Sequence, residues 1–188
     1  MNTPNKLTVL RMILTPIFLA ALIIEAIPHN YFFGLLFFSV AAITDFIDGK
    51  LARKNNQITV FGKLLDPVAD KMLTTAAFLG FMQLGICNIW IVMIVLTREF
   101  VVTSLRLVAS AQGIVVAANF WGKAKTMSQM VSIVVILVAG EAITLGILPS
   151  GFNLSFFSNF LLWITAVLTV ISGIKYAVDI SRQIDVTM

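Results

Sequence analysis

The sequence predicts an all-α integral membrane protein, a bundle of six transmembrane helices with both termini on the cytoplasmic side. Three observations predict it. Hydrophobic residues make up 59% of the chain and charged residues 12%, with a mean hydropathy of +0.99; ordinary soluble domains are about a quarter charged. Six apolar stretches approach the roughly 20 residues that cross a bilayer. Lysines and arginines gather at alternate joints between them, the asymmetry that marks cytoplasmic loops. With 188 residues there is room for one membrane domain over residues 1–188 and for no separate soluble one.

The first span is read as Leu7–Ile27. Lys6 and Arg11 precede its apolar part as in a secretory signal, yet no polar segment or small-residue cleavage site follows, so it is read as an uncleaved helix. Pro28-His29-Asn30 makes the first joint and Tyr31–Lys50 the second span. Leu51 to Leu64 is the most polar linker, and the third span is Leu65–Leu84. Gly85 to Asn88 turns the chain into Ile89–Ala109, and Gly113 marks the next joint. Lys125–Thr144 and Leu154–Val178 complete the set, with Pro149-Ser150-Gly151 between them. Gly34, Gly80, Ala109, Gly122 and Gly140 are small residues at which membrane helices can approach closely.

Orientation follows from charge. Lys6 and Arg11 flank the start; Lys50, Arg53, Lys54, Lys63 and Lys71 surround the second joint. Arg106, Lys123 and Lys125 surround the fourth, and Lys175 and Arg182 flank the last span, while the odd-numbered joints hold no lysine or arginine. The net charge of +4 belongs to these flanks, and no basic tract suggests nucleic acid as a partner. Cys87, the single cysteine, excludes an internal disulfide. His29, the single histidine, is read as a turn residue rather than a metal ligand.

The chemistry concentrates between residues 45 and 70. Four of the nine acidic residues, Asp45, Asp48, Asp66 and Asp70, fall in this one segment at a membrane boundary. Charge there is costly unless it is paired or metal-bound. Three- and four-residue spacings put Asp45 with Asp48, and Asp66 with Asp70, on single helix faces. Two such pairs offer the all-oxygen ligands that hard divalent cations prefer. One or two Mg²⁺ or Mn²⁺ ions could bind, and a pair could clamp a diphosphate for in-line displacement at phosphorus. Gly49 and Gly62 leave space for close approach, and Arg53 adds a planar fork suited to phosphate. Pro67 after Asp66 suggests a helix start or a local kink. Simple ion pairing with the nearby lysines is the bland alternative. Arg98 and Glu99 stand mid-span, read either as an internal ion pair or as the floor of a polar cavity on the face shared with Arg106.

The run Asp45-x-x-Asp48-Gly49-x-x-Ala52-Arg53, eight residues, Gly62-x-x-x-Asp66-x-x-x-Asp70 resembles the CDP-alcohol phosphotransferase motif at all eight fixed positions. The resemblance implies a six-span, divalent-metal-dependent, homodimeric enzyme that moves a substituted phosphoryl group from a CDP-linked donor to an alcohol and releases CMP. It implies that Asp45, Asp48 and Asp66 hold one metal, and Asp45, Asp66 and Asp70 the other, with Asp70 as the base. Gly49, Ala52, Arg53, Gly62 and Asp66 would serve the CMP end of the donor.

Further blocks narrow the acceptor. Asn5 to Arg11, Arg98-Glu99-Phe100, Ser104-Leu105-Arg106 and Gly122 to Thr126 look like bacterial phosphatidylglycerophosphate synthases. The implied substrates are CDP-diacylglycerol and sn-glycerol 3-phosphate. An anionic acceptor needs cations beyond the metals, and Arg106, Lys123, Lys125 and Arg98 are candidates, with Thr8 and Arg11 lining the same pocket. A sister enzyme acting on serine or an inositol phosphate, and a divalent-cation transporter, remain the alternatives.

Overall fold

The computed structural model describes residues 3–54, 60–112, 120–149 and 151–181, and of these the side chains of all but 3–4, 46–54, 60–64, 66 and 111. Among the described residues there are six α-helices and no strand: α1 (Thr3–Ile23), α2 (Asn30–Lys54), α3 (Val60–Gln83), α4 (Ile89–Ala111), α5 (Phe120–Thr144) and α6 (Leu154–Ser181). Three of them are long and apolar enough to cross a membrane, over Asn5–Ile23, Phe120–Thr144 and Leu154–Ser181. The chain is a membrane protein. Helix α4 has comparable length but carries Arg98, Glu99 and Arg106.

Helix ends depart from the hydropathy reading where polar chemistry takes over. Helix α1 stops at Ile23 rather than Ile27, and the Ile27 amide turns back to the Ile24 carbonyl at 3.1 Å just before Pro28. The Asn30 amide then donates to the Leu22 carbonyl at 2.8 Å, satisfying one of the orphaned groups at the helix end. Helices α2 and α3 run on to Lys54 and back to Val60, well into the stretch read as a linker. Pro67 is not a helix start: it lies inside α3.

The helices group into two compact units. The first holds α1, α2, α3 and the second half of α5; the second holds α4, the first half of α5, and α6. In the first unit α1 packs on α2 and α3. Phe18, Leu22, Phe38, Ala77, Phe78 and Phe81 are wholly or almost wholly buried, and the Phe18 and Phe38 rings lie 5.6 Å apart in a tilted arrangement. Gly80 lets α3 come against Leu22 and Leu19 of α1; a Cβ there would sit 2.9 Å from Leu22 Cδ2.

The first unit also carries a capping network that hydropathy did not reveal. Glu141 of α5 accepts from the Phe32 amide at 3.1 Å through one carboxylate oxygen and meets His29 Nδ1 through the other. A carboxylate at the first turn of α2 meets unpaired amides and the positive end of the helix dipole. His29 holds a left-handed backbone (φ 56°) in the turn that brings it to Glu141. The α2 start is thus anchored to α5.

In the second unit, Asn88 caps α4 by accepting from Trp90 N at 2.9 Å, and its own amide donates to Asn159 Oδ1 at 2.8 Å. The buried stripe of α6 is Ser158, Leu162, Thr165, Ala166, Thr169, Ser172, Tyr176 and Ile180. Large apolar side chains such as Phe156, Phe160 and Ile174 face outward instead. Small and hydroxyl-bearing residues inside, apolar residues outside, is the pattern of helices packed within lipid.

The tightest joint in the first unit predicts a measurable cost. A Cβ at Gly140 would lie 2.6 Å from Cγ of the Tyr31 ring. Gly140→Ala should therefore lower the unfolding temperature of the detergent-solubilised protein, an overpacking loss of about 1–3 kcal/mol. Gly151→Ala, with open space around it, is the control and should change little. Equal melting of the two variants would contradict the close contact.

Candidate active site

The aspartate motif sits on helix, not on loop. The C-terminal part of α2 carries Asp45, Asp48, Gly49, Ala52 and Arg53, and the N-terminal part of α3 carries Gly62, Asp66 and Asp70. The expected one-turn spacing within each aspartate pair is therefore real backbone geometry. The side chains of Asp48, Gly49, Ala52, Arg53, Gly62 and Asp66 lie outside the described ones.

Asp45 and Asp70 are described. Asp70 is exposed on α3. Asp45, about half-exposed, forms an ion pair with Arg11 of α1, whose side chain is 1% exposed. A guanidinium cannot shed its proton, so burying Arg11 requires a counter-charge, and Asp45 supplies it. The sequence reading grouped Arg11 and Thr8 with the acceptor phosphate; the structure gives Arg11 a partner within the aspartate motif. Asn5, Thr8 and Arg11 are all buried on α1, and Thr15 donates to the Arg11 carbonyl at 2.9 Å. Their spacing of three and four residues was visible in the sequence as a polar stripe on an apolar helix.

The second unit gathers the other cations. Arg98 Nη1 donates to Glu99 Oε1 at 3.1 Å, and Lys125 Nζ of α5 donates to the same oxygen. Arg98 Nη2 reaches Ser172 Oγ of α6 at 2.7 Å, and its Cγ fills the space beside Gly173. Glu99 thus joins three helices through two cations. The ion-pair reading of the mid-span charges is met, and the pair extends to Lys125 and Ser172. Arg106, exposed near the end of α4, donates from Nε to the Tyr176 hydroxyl at 3.3 Å, with the guanidinium 5.7 Å from the ring centre. The structure separates the two lysines of α5. Lys123 is exposed and Lys125 is 5% exposed, as a two-residue spacing on a helix dictates.

Below the charges the interior stays polar. Ser128 and Ser132 of α5 both meet Thr165 Oγ1 of α6, at 2.9 and 3.0 Å, and Thr169 donates to the Thr165 carbonyl at 2.7 Å. Gln129, between the two serines, is 2% exposed. The sequence reading assigned no role to Gln129 or Glu141; the signal that could have found Gln129 is the recurrence of polar residues every three to four positions in an apolar run.

Comparison with known proteins decides the family. The family described as CDP-alcohol phosphatidyltransferase matches residues 1–171. The chain belongs to that family. It is 38% identical over 186 residues to a CDP-diacylglycerol–glycerol-3-phosphate 3-phosphatidyltransferase of Bacillus subtilis, covering 93% of each chain. A probable phosphatidylglycerophosphate synthase of Mycobacterium tuberculosis is 37% identical, over 97% of this chain and 83% of that one. A Haemophilus influenzae protein bearing the same description as the Bacillus one is 36% identical, over 93% and 91%. This CDP-alcohol phosphatidyltransferase is accordingly a phosphatidyltransferase enzyme.

The family depends on divalent metal ions. Among the described residues no three His, Cys, Asp or Glu side chains converge, but that set includes only two of the four motif aspartates. What is described fits: Asp45 stands on the motif face of α2 and already balances a buried cation, and carboxylate oxygens are the donors hard cations take.

The shared carboxylate yields a prediction about stability. Glu99→Gln leaves Arg98 and Lys125 against a neutral amide, and breaking a buried ion pair costs about 3–5 kcal/mol. The variant should melt well below the wild type. Adding Lys125→Met should recover part of the loss by removing one of the two cations that Glu99 meets. Wild-type melting of the single variant would contradict the role given to Glu99.

Proposed function

We propose that this enzyme transfers the phosphatidyl group of CDP-diacylglycerol to sn-glycerol 3-phosphate, giving phosphatidylglycerol phosphate and CMP in phospholipid synthesis. One observation carries the reading: all eight motif positions are filled in a chain that matches relatives described by that reaction over nearly the full length of both. The same descriptions favour glycerol 3-phosphate over serine or an inositol phosphate. Membership of the family sets the divalent-cation transporter aside.

In this reading Asp45, Asp48 and Asp66 hold one divalent cation and Asp45, Asp66 and Asp70 a second, both Mg²⁺ or Mn²⁺. Bound there, the metals supply Lewis acidity to the β-phosphoryl group of the donor. Asp70, exposed on α3, accepts the proton of the attacking hydroxyl. A carboxylate serves as base when it lies within hydrogen-bond reach of that proton. Gly49, Ala52, Arg53 and Gly62 receive the CMP end, the glycines by leaving room and Arg53 by its fork. Arg11 holds the Asp45 carboxylate from its buried side.

The acceptor phosphate is assigned to Arg106 first. Tyr176 fixes its Nε, which orients a planar fork of the type that binds phosphate bidentately. Arg98 and Lys125 add positive potential while tied to Glu99. Lys123 and Thr8 complete the set carried by the sequence reading. We further assign the chain to a single six-span domain in the cytoplasmic membrane, active as a homodimer, with both termini and the metal site facing the cytoplasm.

The central test uses purified protein, CDP-diacylglycerol and a panel of acceptors. CMP release should require a divalent cation and should occur with glycerol 3-phosphate, not with serine or inositol phosphate. Asp66→Asn should cut turnover roughly 100-fold or more while the protein still inserts and folds. Substantial turnover in that variant at saturating Mg²⁺ would sink the shared-ligand role.

Topology can be tested by thiol labelling, with one complication the structure exposes. Burial leaves Cys87 6% exposed and pushes its thiol up to about 12. An ordinary thiol ionises near 8.5, so at pH 8 Cys87 should react with maleimide roughly a thousandfold more slowly than an exposed cysteine. The native thiol is therefore a silent background. In Cys87→Ser, a cysteine at Ile147, an exposed turn position, should label from outside intact cells, and one at Asn55 only after permeabilisation. The reverse pattern would invert the bundle and remove the metal site from cytoplasmic glycerol 3-phosphate.

A further inference from the structure

We infer that Gln129 recognises the secondary hydroxyl of the acceptor and so selects a glycerol phosphate over other alcohol phosphates. The inference rests on the glycerol 3-phosphate reading and deepens it. Gln129 is 2% exposed, and its amide Nε2 is buried without a hydrogen-bond partner. An unmet buried donor costs about 1–3 kcal/mol, a cost relieved when a ligand brings an acceptor oxygen. Its neighbours are already committed: Ser128 and Ser132 to Thr165 Oγ1, and Thr169 to the Thr165 carbonyl.

The surroundings state the ligand's chemistry. Lys125, Gln129 and Ser132 recur at four and three residues on α5, share one face and are all buried. Lys125 meets Glu99 together with Arg98, which sets cationic side chains one turn from a neutral donor. One turn of helix, about 5.4 Å, separates the cationic position from the amide. A compact anion with a hydroxyl a few bonds from its charge fits that pairing. In sn-glycerol 3-phosphate the C2 hydroxyl stands in that relation to the phosphate and takes no part in the bond made at C1, so it is free to accept from Gln129.

Steady-state kinetics of the full-length enzyme with CDP-diacylglycerol in detergent micelles test this. The comparison is between sn-glycerol 3-phosphate and 3-hydroxypropyl phosphate, which keeps the phosphate and the primary hydroxyl and lacks the secondary one. Wild type should favour glycerol 3-phosphate in kcat/KM by roughly 10-fold or more, mainly through KM. Gln129→Met, close in volume, should erase that preference by lowering kcat/KM for glycerol 3-phosphate while leaving the analogue within about twofold. Equal use of both acceptors by the wild type overturns the inference without recourse to any variant. So does a Gln129→Met enzyme that loses the same factor on both, the mark of an amide that only holds a buried water or the packing. A wild type that releases CMP with serine and with neither phosphate overturns the glycerol 3-phosphate reading, and this inference with it. A wild type active on glycerol 3-phosphate that ignores the missing hydroxyl overturns this inference alone.

Discussion

A charge placed among helices surrounded by lipid has no water to turn to, so its partner must come from the protein itself. Three such pairings stand among the described residues. Arg11 of α1 is buried against Asp45 of α2. Glu99 of α4 draws in Arg98 beside it and Lys125 from α5. Glu141 of α5 meets His29 and the first turn of α2. Each ties together elements that hydrophobic contact alone would hold in no particular register, since lipid chains compete equally for apolar surface. Removing either member of such a pair takes a charge partner from the other, so these residues constrain the fold.

The same constraint explains why the inside of the second unit looks so unlike a soluble core. Helix α6 turns Ser158, Thr165, Thr169 and Ser172 inward and Phe156, Phe160 and Ile174 outward. Hydroxyl side chains can return their hydrogen bonds to the preceding turn, as Thr169 does to the Thr165 carbonyl, so they are inexpensive to bury. Their small size also lets helices approach: Gly173 gives Arg98 the room to reach Ser172. A polar interior bounded by an apolar exterior follows from the solvent.

Much of this was legible in the sequence, and the parts that were not share a cause. The turns at Pro28 to Asn30 and Gly85 to Asn88 announced themselves through proline, glycine and asparagine, and Gly85 does adopt a positive φ of 70°. The one-turn spacing of the aspartates was readable because helix periodicity is local. The reach of α2 to Lys54 and α3 back to Val60 was not. Hydropathy reports preference for lipid, while a helix needs only internal backbone hydrogen bonds, and a polar segment at the membrane edge can form them. Partnerships between distant residues left no trace either. Nothing near Glu141 names His29, 112 residues earlier, and nothing near Glu99 names Lys125. Arg11 was grouped with the acceptor pocket, and nothing near it in the sequence names the motif carboxylate with which it pairs, Asp45.

Electrostatics in such an interior acts at short range with little screening. A lone buried cation there would be prohibitive, and a fully neutralised cluster would offer an anion nothing. Arg98, Glu99 and Lys125 occupy the middle ground: one carboxylate meets both cations and makes them tolerable. Arg106 is arranged differently. It is exposed, and Tyr176 steadies it through a neutral hydroxyl and a ring face, so its whole charge stays available. In the proposed reading, Arg106 offers its charge to an incoming phosphate and the buried pair contributes to the potential around it. In the proposed reaction that division suits an acceptor that must be held firmly enough to orient its hydroxyl. It must also be held loosely enough for the lipid product to leave.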